Sequence, residues 1–454
     1  MTTRRQALAD LLRLALPVAT VQVGLMTMGV VDTVMVGRVS ATALAAVALG
    51  NLYFISIAVL GIGVLMALDP VIAQGVGAGD DVAVARGLQR GLVVAAGVSV
   101  ATAALLLPAE PLLTLLHQPP EVVPVAAQYA RVLIPGVVPF FVFVVCRQTL
   151  QAMGLVRPVV VTIIAANLAN ALLNWAFIFG HLGFPALGAV GAAWATTTSR
   201  WLMMLGLLAA AWRALRPLIV PLHAEALARE PLVRLLRIGV PIAMQHALEF
   251  SAFGLIAVLM GTLGTVQMAA HQVAINLASL TFMVPLGIGS AAAVLVGRAV
   301  GRGDAADARR AAVTALATGV TFMSTSAVVM LVVPGLLAAL YTNDPAVLAL
   351  TAALIPIAGV FQVFDGTQVV AMGTLRGIGD TRGPMLISLL GFWCVGVPVS
   401  VFLGFRAGAG PKGLWWGFVA GLAAVALLLL LRMRHRFRGD LARVALDEAV
   451  GRAP

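Results

Sequence analysis

The stretch GVPIAMQHALEFSAFGLIAVLMG, from Gly239 to Gly261, places Glu249 within a long run of mostly apolar residues. A helix of this length can cross a hydrocarbon core roughly 30 Å thick. A charged carboxylate at the centre of such a helix costs about 2.5 to 3.5 kcal/mol on insertion scales. The stretch therefore predicts a membrane-spanning helix whose acid has a functional role.

The same pattern occurs near the N-terminus, in LPVATVQVGLMTMGVVDTVMVG from Leu16 to Gly37. Pro17 aligns with Pro241 and Gly37 with Gly261 at one common offset. The match continues through further pairs at nearly the same offset: Gly61 with Gly287, Gly77 with Gly301, Asp80 with Asp304, Gly154 with Gly379, and Trp194 with Trp416. Chance matches do not keep so steady an offset, so the sequence predicts two structural halves of similar length.

The composition excludes a soluble globular domain. Hydrophobic residues make up 61% of the chain and charged residues 10%, with a mean hydropathy of +1.03, whereas soluble domains carry about 25% charged residues. The net charge of +11 does not indicate nucleic-acid binding, because the arginines lie in short segments between apolar runs. Cys146 and Cys394 lie in apolar runs without metal-ligand spacing, so no disulfide framework or zinc site is predicted.

Apolar segments predict twelve spans, near residues 11–36, 44–74, 87–107, 123–149, 158–179, 187–211, 232–261, 268–297, 311–333, 346–374, 384–404 and 413–431. Six spans per half is an even number, so both halves begin on the same side and the repeat is parallel. The predicted fold is an all-α integral membrane protein with twelve transmembrane helices in two six-helix lobes related by a parallel pseudo-two-fold repeat. The lobes are residues 1–211 and 232–432, joined by a cytoplasmic linker at 212–231 and followed by a basic cytoplasmic tail at 433–454.

Orientation follows from the predicted loops. Basic residues concentrate on one side: Arg4, Arg5, Arg86, Arg90, Arg157, Arg213, Arg216, Arg229, Arg234, Arg302, Arg309, Arg310, Arg382 and the tail arginines 432, 434, 436 and 438. The opposite loops carry chiefly Arg38, Arg406 and Lys412, with Glu110, Glu121 and Asp344. The positive-inside rule makes the arginine-rich side cytoplasmic, so both termini are expected there.

Four acids lie inside the apolar segments: Asp32, Asp69, Glu249 and Asp365. Asp69 precedes Pro70 near the end of its segment, where a helix break or a local cap explains it as well as a function does. Keeping the other three charged would cost roughly 8 to 10 kcal/mol in total, so each is expected to be protonated, cation-bound or facing water.

Polar side chains recur at helical spacing beside these acids. They are Asn167, Asn170 and Asn174 on the fifth predicted span, Gln272, Asn276 and Ser279 on the eighth, and Gln362, Asp365 and Gln368 on the tenth. Interhelical hydrogen bonds, worth about 0.6 to 2 kcal/mol each, explain any single amide as well as a function does. Polar faces on several spans, together with three acids, indicate that these side chains line a hydrated cavity. His246 and His271 are secondary candidates, since a histidine in a membrane also bonds backbone carbonyls.

The sequence contains no nucleophile elbow, Walker loop, HExxH or dinucleotide fingerprint. We therefore predict no enzyme activity and no ATP hydrolysis, and any active process must draw on an ion gradient.

Three motifs closely resemble the multidrug and toxic compound extrusion (MATE) family: VDTVMVGRVSATALAAV (Val31 to Val47), MAAHQVAIN (Met268 to Asn276) and FDGTQVVAMGTLRGIGDT (Phe364 to Thr381). The resemblance covers essentially the whole chain. It implies a secondary antiporter without cofactors that exports cationic and amphipathic drugs and toxic compounds in exchange for Na⁺ or H⁺ by alternating access. We expect a monomer among the lipids of the bacterial inner membrane.

Within that family the sequence is similar to the NorM branch. The resemblance implies that Glu249 and Asp365 bind the coupling cation and compete with cationic substrate, and that Asp32 with Asn170, Asn174 and Thr196 forms a second cation site. Na⁺ candidates are thus Asp32, Glu249 and Asp365, with Gln272, Asn276, Gln362, Gln368 and His246 as secondary residues. The DinF-like branch has a second Asp where this sequence has Asn174, which argues against that branch and its proton route.

Two questions stay open at this level. Hard oxygen ligands favour Na⁺, but a carboxyl group withdrawn from water also holds a proton. The alternative cargo is a lipid-linked precursor moved by a flippase, which is expected to need several cationic groups for a pyrophosphate. Away from the span ends the arginines are few, Arg131, Arg147 and Arg200, and the deep ionisable groups are mainly acids, which favours cationic cargo.

Overall fold

The computed structural model describes residues 4–444 and 446–447, and those residues form helices joined by short loops. The helices are α1 Arg4–Val36, α2 Ala41–Leu65, α3 Leu68–Ala78, α4 Asp81–Leu106, α5 Ala109–Leu115, α6 Val123–Leu133, α7 Val137–Ala152, α8 Arg157–Phe179, α9 Gly188–Ala210, α10 Trp212–Ile219, α11 Arg229–Leu263, α12 Thr265–Gly301, α13 Ala305–Val332, α14 Pro334–Ala339, α15 Pro345–Gly377, α16 Arg382–Ser388, α17 Val397–Val401 and α18 Gly410–Arg436. π-helical turns at Leu389–Gly396 and Phe402–Arg406 continue α16 and α17.

The predicted spans are confirmed. Among the described residues, 11 helices are long and apolar enough to cross a membrane, and the bent pair Gly188–Ala210 and Trp212–Ile219 brings the number to 12. Each of the twelve apolar segments read from the sequence falls on one of these helices, because a long apolar run has its backbone hydrogen bonds satisfied in lipid only as a helix.

Two compact units make up the described chain. One comprises Met244–Val444 with the start of α1 as far as Ala19 and the turn Gly77–Gly79. The other comprises Thr20–Val76 and Asp80–Ala243 with the short segment at 446–447. Helices α1 and α11 are each divided between the units. They have 33 and 35 residues, about 50 Å, which is longer than a hydrocarbon core of about 30 Å. The lobe boundaries read from the sequence remain a prediction.

The sequence repeat is visible in the helix caps. Asp80 caps α4 by accepting a hydrogen bond from the Ala83 amide, and the aligned Asp304 caps α13 by accepting one from the Asp307 amide. The glycines just before them, Gly79 and Gly303, have φ of +67° and +72°. Side chains with a Cβ disfavour that backbone conformation, so both halves use the same glycine and aspartate to end one helix and start the next.

The repeat is interrupted at the residues around Asp69. Gly61 and Gly77 are sixteen positions apart, whereas the aligned Gly287 and Gly301 are fourteen apart. The two extra residues fall in a break between α2 and α3, while α12 runs through the corresponding region without a break. Asp69 lies in the first turn of α3, which agrees with the helix-break explanation of this residue.

Aromatic rings pack together in the unit that contains Glu249 and Asp365. The Phe253 ring meets the Phe418 ring edge-on at 4.6 Å and the Phe361 ring at 5.9 Å. Phe253 lies four residues after Glu249 on α11, and Phe361 lies four residues before Asp365 on α15. Contacts of this kind add about 0.5 to 1.5 kcal/mol beyond burial. They therefore pack α11 against α15 within about one turn of the two acids.

The predicted linker is more ordered than its prolines and charges indicated. Residues 212–219 form α10, and α11 begins at Arg229. Buried Gln89 on α4 donates hydrogen bonds to the carbonyls of Leu218 at 3.0 Å and Pro221 at 2.9 Å, and it accepts one from the His223 amide at 2.9 Å. The Gln89 side chain thus holds this part of the linker backbone against α4.

Candidate cation and substrate sites

Asp32 lies at the centre of a polar cluster in the unit that contains most of the first half. Thr196 Oγ1 donates to Asp32 Oδ2 at 2.6 Å, and Asn174 Nδ2 donates to Asp32 Oδ1 at 2.5 Å. Asn174 Nδ2 also donates to Asn170 Oδ1 at 3.1 Å. Asp32 is 5% exposed, and both asparagines are fully buried. The structure therefore brings together all four residues that the resemblance assigned to one cation site.

One oxygen in this cluster has no hydrogen-bond partner. Asn174 Oδ1 is buried and unpaired, as is Asn170 Nδ2. Buried polar atoms are nearly always paired in native structures, so each exception calls for an explanation. An unpaired amide oxygen next to a carboxylate is a suitable ligand for a small hard cation.

Close helix packing positions these side chains. A Cβ at Gly191 on α9 would collide with the backbone of Phe177 on α8, so glycine allows the two helices to approach closely. Asn170 and Asn174 are four residues apart on α8 and share a face. Thr196 lies further along α9 on the face that reaches Asp32.

Arg200 is a buried cation that sequence reasoning counted but did not place. Its guanidinium lies over the Phe54 ring at 4.2 Å and near the Phe140 ring at 5.1 Å, and its Nη1 is buried without a hydrogen-bond partner. Arg200 follows Thr196 by one helical turn, and that spacing was the available signal. Ring faces stabilise a desolvated guanidinium by about 2 kcal/mol or more.

The second cluster contains Glu249 and Asp365. Gln368 Nε2 donates to Glu249 Oε1 at 2.8 Å and to Asp365 Oδ1 at 3.2 Å. Asp365 and Gln368 are buried and Glu249 is partly buried. Gln368 Oε1 is buried without a partner. The structure thus joins two acids from α11 and α15 through one amide, and it again leaves an amide oxygen unpaired beside them.

Gln362 has a different role from its neighbours on α15. Its Oε1 accepts a hydrogen bond from Ser326 Oγ at 3.0 Å, and its Nε2 contacts Met330 Sδ at 3.2 Å. Both partners lie on α13, so Gln362 ties α13 to α15. Buried Gln245 likewise contacts Met372 Sδ. Ser326, which sequence reasoning missed, lies in a run of small polar residues without an acid, and nothing in that pattern singled it out.

Gln272, Asn276, His246 and His271 lie on α11 and α12. Gln272 and Asn276 are exposed on α12 and bond each other at 3.5 Å. His246 is partly buried one turn before Glu249 on α11. His271 is buried with its ring 5.6 Å from the Trp415 ring. These positions agree with cavity lining or helix packing equally well.

Each cluster offers one or two carboxylates with neutral amide and hydroxyl oxygens. Within residues 4–444 and 446–447, no three His, Cys, Asp or Glu side chains come together as a metal-ion group. Groups of soft ligands select transition metals. A cluster with few charges and several neutral oxygens suits a hard monovalent cation, and its carboxylate can also hold a proton.

Comparison with known proteins agrees with this architecture. The MatE family model matches residues 17–176 and 241–402. The two matched stretches begin at Pro17 and Pro241, the pair that the sequence repeat aligned. The match therefore covers most of both halves and identifies the same internal repeat.

Relatives of known name extend over nearly the whole chain. A protein named multidrug resistance protein NorM, from Burkholderia vietnamiensis, is 39% identical over 440 residues, covering 93% of each chain. A protein named multidrug resistance protein MdtK, from Edwardsiella ictaluri, is 36% identical over 432 residues, covering 94% of each.

Solved structures show the same fold. The eukaryotic MATE transporter AtDTX14 superposes with a TM-score of 0.87 at 22% identity, covering 96% of this chain and 98% of that one. A multidrug resistance MATE family transporter of the MOP superfamily, solved in an outward-facing conformation, superposes with a TM-score of 0.86 at 20% identity, covering 96% of both. Family match, relatives and fold agree with the motifs read from the sequence, and this chain belongs to the MatE family.

Proposed function

We propose that this protein is a secondary antiporter of the bacterial inner membrane that exports cationic or amphipathic drugs in exchange for Na⁺ by alternating access. Relatives named for multidrug resistance, at 36% and 39% identity over nearly the full length, support the drug-export part. The acid clusters support the ion-coupled part.

The observation that carries the proposal is the bridge made by Gln368. Its Nε2 lies 2.8 Å from a Glu249 oxygen and 3.2 Å from an Asp365 oxygen, so these two oxygens are at most about 6 Å apart. Two full charges at that distance repel by roughly 3 kcal/mol at an effective dielectric constant of about 20. A bound cation or proton removes this repulsion.

A cationic drug would remove the same repulsion. Ion and drug therefore compete for one pair of carboxylates, and binding of one favours release of the other. Mutually exclusive binding at a site with alternating access is sufficient for exchange. The Gln368 amide joins the two carboxylates through its Nε2. Its unpaired oxygen, Gln368 Oε1, is available to a bound ion or to a bound cationic drug.

The cluster around Asp32 supports Na⁺ as the coupling ion. Asp32 provides one charge, and Asn174 Oδ1, Asn170 Oδ1 and Thr196 Oγ1 provide neutral oxygens that could replace water around a monovalent ion. One elementary charge moving through about 100 mV supplies roughly 2.3 kcal/mol, which sustains a concentration ratio of nearly fifty for a neutral drug.

The test is uptake of a fluorescent cationic dye into inverted vesicles, driven separately by a Na⁺ gradient and by a pH gradient. We expect the Na⁺ gradient to drive uptake. Glu249→Gln and Asp365→Asn should each abolish it at normal expression, because both keep the shape and remove the charge. Glu121→Gln, which changes an exposed loop acid, is the control and should transport normally.

Three outcomes would contradict the proposal. Wild-type uptake by a well-expressed Glu249→Gln or Asp365→Asn protein would remove that residue from the mechanism. Full uptake on a pH gradient alone, with no response to Na⁺, would reassign the carboxylates as proton carriers. Absence of dye transport with either gradient would refute drug export.

A further inference from the structure

A groove opens on the unit that contains most of the second half of the chain. None of the residues that line it belongs to either acid cluster. It has a volume of about 960 Å³ and lies between the start of α1, at Ala7 and Leu8, and one face of α13 from Arg309 to Thr325. Binding pockets for small molecules have volumes of about 300 to 1,000 Å³, so the recess is large enough for a ligand.

The wall of this groove is apolar although four threonines contribute to it. Thr318 Oγ1 donates to the Thr314 carbonyl at 2.8 Å, and Thr325 Oγ1 donates to the Thr321 carbonyl at 2.9 Å. These two hydroxyls bond their own helix, so they add little free polarity to the wall. The small Ala317 leaves room there for a hydrocarbon chain.

One end of the groove is positively charged. Arg309 is exposed and has no ion pair among the residues that the structure describes. Arg310 lies 3.3 Å from Asp307, which is also paired with Arg302 at 2.6 Å. The charge on Asp307 is therefore shared, and the mouth of the groove carries uncompensated positive charge.

The dimensions fit one leaflet of a bilayer. Sixteen residues separate Arg309 from Thr325, which is roughly 24 Å along a helix. Half of a bilayer including headgroups is about 20 to 22 Å thick. The groove therefore runs from the headgroup level, where the arginines lie, to near the bilayer centre.

We propose that this groove binds one anionic phospholipid, with the phosphate at Arg309 and Arg310 and an acyl chain along the α13 face. Basic pockets between membrane helices hold anionic headgroups in this way. The arginines repel a cationic drug, so the groove is a lipid site and not a second entrance for the transported compound. The proposal stands independently of the transport mechanism.

Fluorescence quenching tests the site directly. A cysteine replacing Ala317, in a protein whose exposed Cys394 is changed to alanine, carries an environment-sensitive fluorophore within the groove. The purified full-length protein in detergent is titrated with brominated phosphatidylglycerol or brominated phosphatidylcholine of identical chains. We expect half-maximal quenching at about fivefold lower phosphatidylglycerol concentration, the effect of about one arginine near an anionic headgroup.

Arg309→Ala and Arg434→Ala form a matched pair for this titration. Both arginines are exposed and lack an ion pair among the described residues, but Arg434, on α18, does not line the groove. Arg309→Ala should remove the preference for phosphatidylglycerol, and Arg434→Ala should preserve it. Native mass spectrometry of the unlabelled variants should show the same difference in retained lipid.

Three results would overturn the proposal. Equal quenching by both lipids would mean ordinary surrounding lipid. Equal loss in the two arginine variants would mean a general charge effect. Relief of quenching by a cationic dye but not by unbrominated phosphatidylglycerol would make the groove a drug site.

Discussion

Glu249, Asp32 and Asp365 occupy positions where the other half of the repeat has apolar residues. Glu249 aligns with Leu25, Asp32 with Ile256, and Asp365 with Phe140. These three acids therefore do not follow the repeat that the glycines and the capping aspartates preserve. The two units therefore differ: the unit with Asp32 has one carboxylate with neutral oxygens, and the unit with Glu249 and Asp365 has two bridged carboxylates.

Thr196 offers a residue-level test of the Asp32 site. Its hydroxyl donates to Asp32 at 2.6 Å, and a hydrogen bond to a charged group contributes about 1.5 to 3 kcal/mol. We expect Thr196→Val to raise the Na⁺ concentration that half-saturates dye uptake about tenfold or more, while Thr196→Ser stays near wild type.

Its neighbour Thr197 provides the control. Thr197 is also buried, but its hydroxyl donates to the Val132 carbonyl at 2.8 Å. Thr197→Val should change thermal stability with little effect on Na⁺ dependence. Equal shifts in Na⁺ dependence for the two valine variants would show that Thr196 acts only through packing.

At the level of elements, Gln89 connects α4 to the linker. Its side chain bonds the Leu218 and Pro221 carbonyls and the His223 amide. Gln89→Leu keeps the volume but removes these bonds, and the buried Leu218 carbonyl left unpaired costs about 1 to 3 kcal/mol. We expect this variant to unfold several degrees below wild type in a thermal scan.

Gln118→Leu is the matched substitution for this scan. The Gln118 side chain donates to the nearby Leu116 carbonyl at 3.1 Å in a loop, and surface changes of this kind usually alter stability by less than about 0.5 kcal/mol. If the two leucine variants had the same unfolding temperature, the linker would be a free tether, as its composition first indicated.

At the scale of the whole molecule, the arginine distribution predicts the orientation in the membrane. In a protein with Cys146→Ala and Cys394→Ala, we place single cysteines at two exposed sites: Ala306 beside the arginine-rich loop and Glu121 on the opposite side. A membrane-impermeant maleimide should label Glu121→Cys in intact cells and Ala306→Cys only after permeabilisation.

The reverse pattern would invert the topology. Labelling of both cysteines in intact cells would place the two loops on the same side and contradict the five spans predicted between them.

The spans, the two-half repeat and the family could be read from the sequence alone, and so could the acids that we propose as the functional site. Each of these depends on local composition or on constant spacing: an apolar run of more than twenty residues forms a helix in lipid whatever its neighbours are. An acid such as Glu249 within such a run is costly in any packing, so it can be recognised before its partners are known.

The tertiary structure decided which polar groups meet. Helical spacing put Gln362 and Gln368 on the same stretch of α15, yet Gln368 bridges the two acids while Gln362 bonds Ser326 on α13. The linker bonds to Gln89 and the groove beside Ala317 likewise depend on which helices lie side by side. A contact between distant segments depends on the packing of both, and spacing along one helix fixes only the face from which a side chain projects.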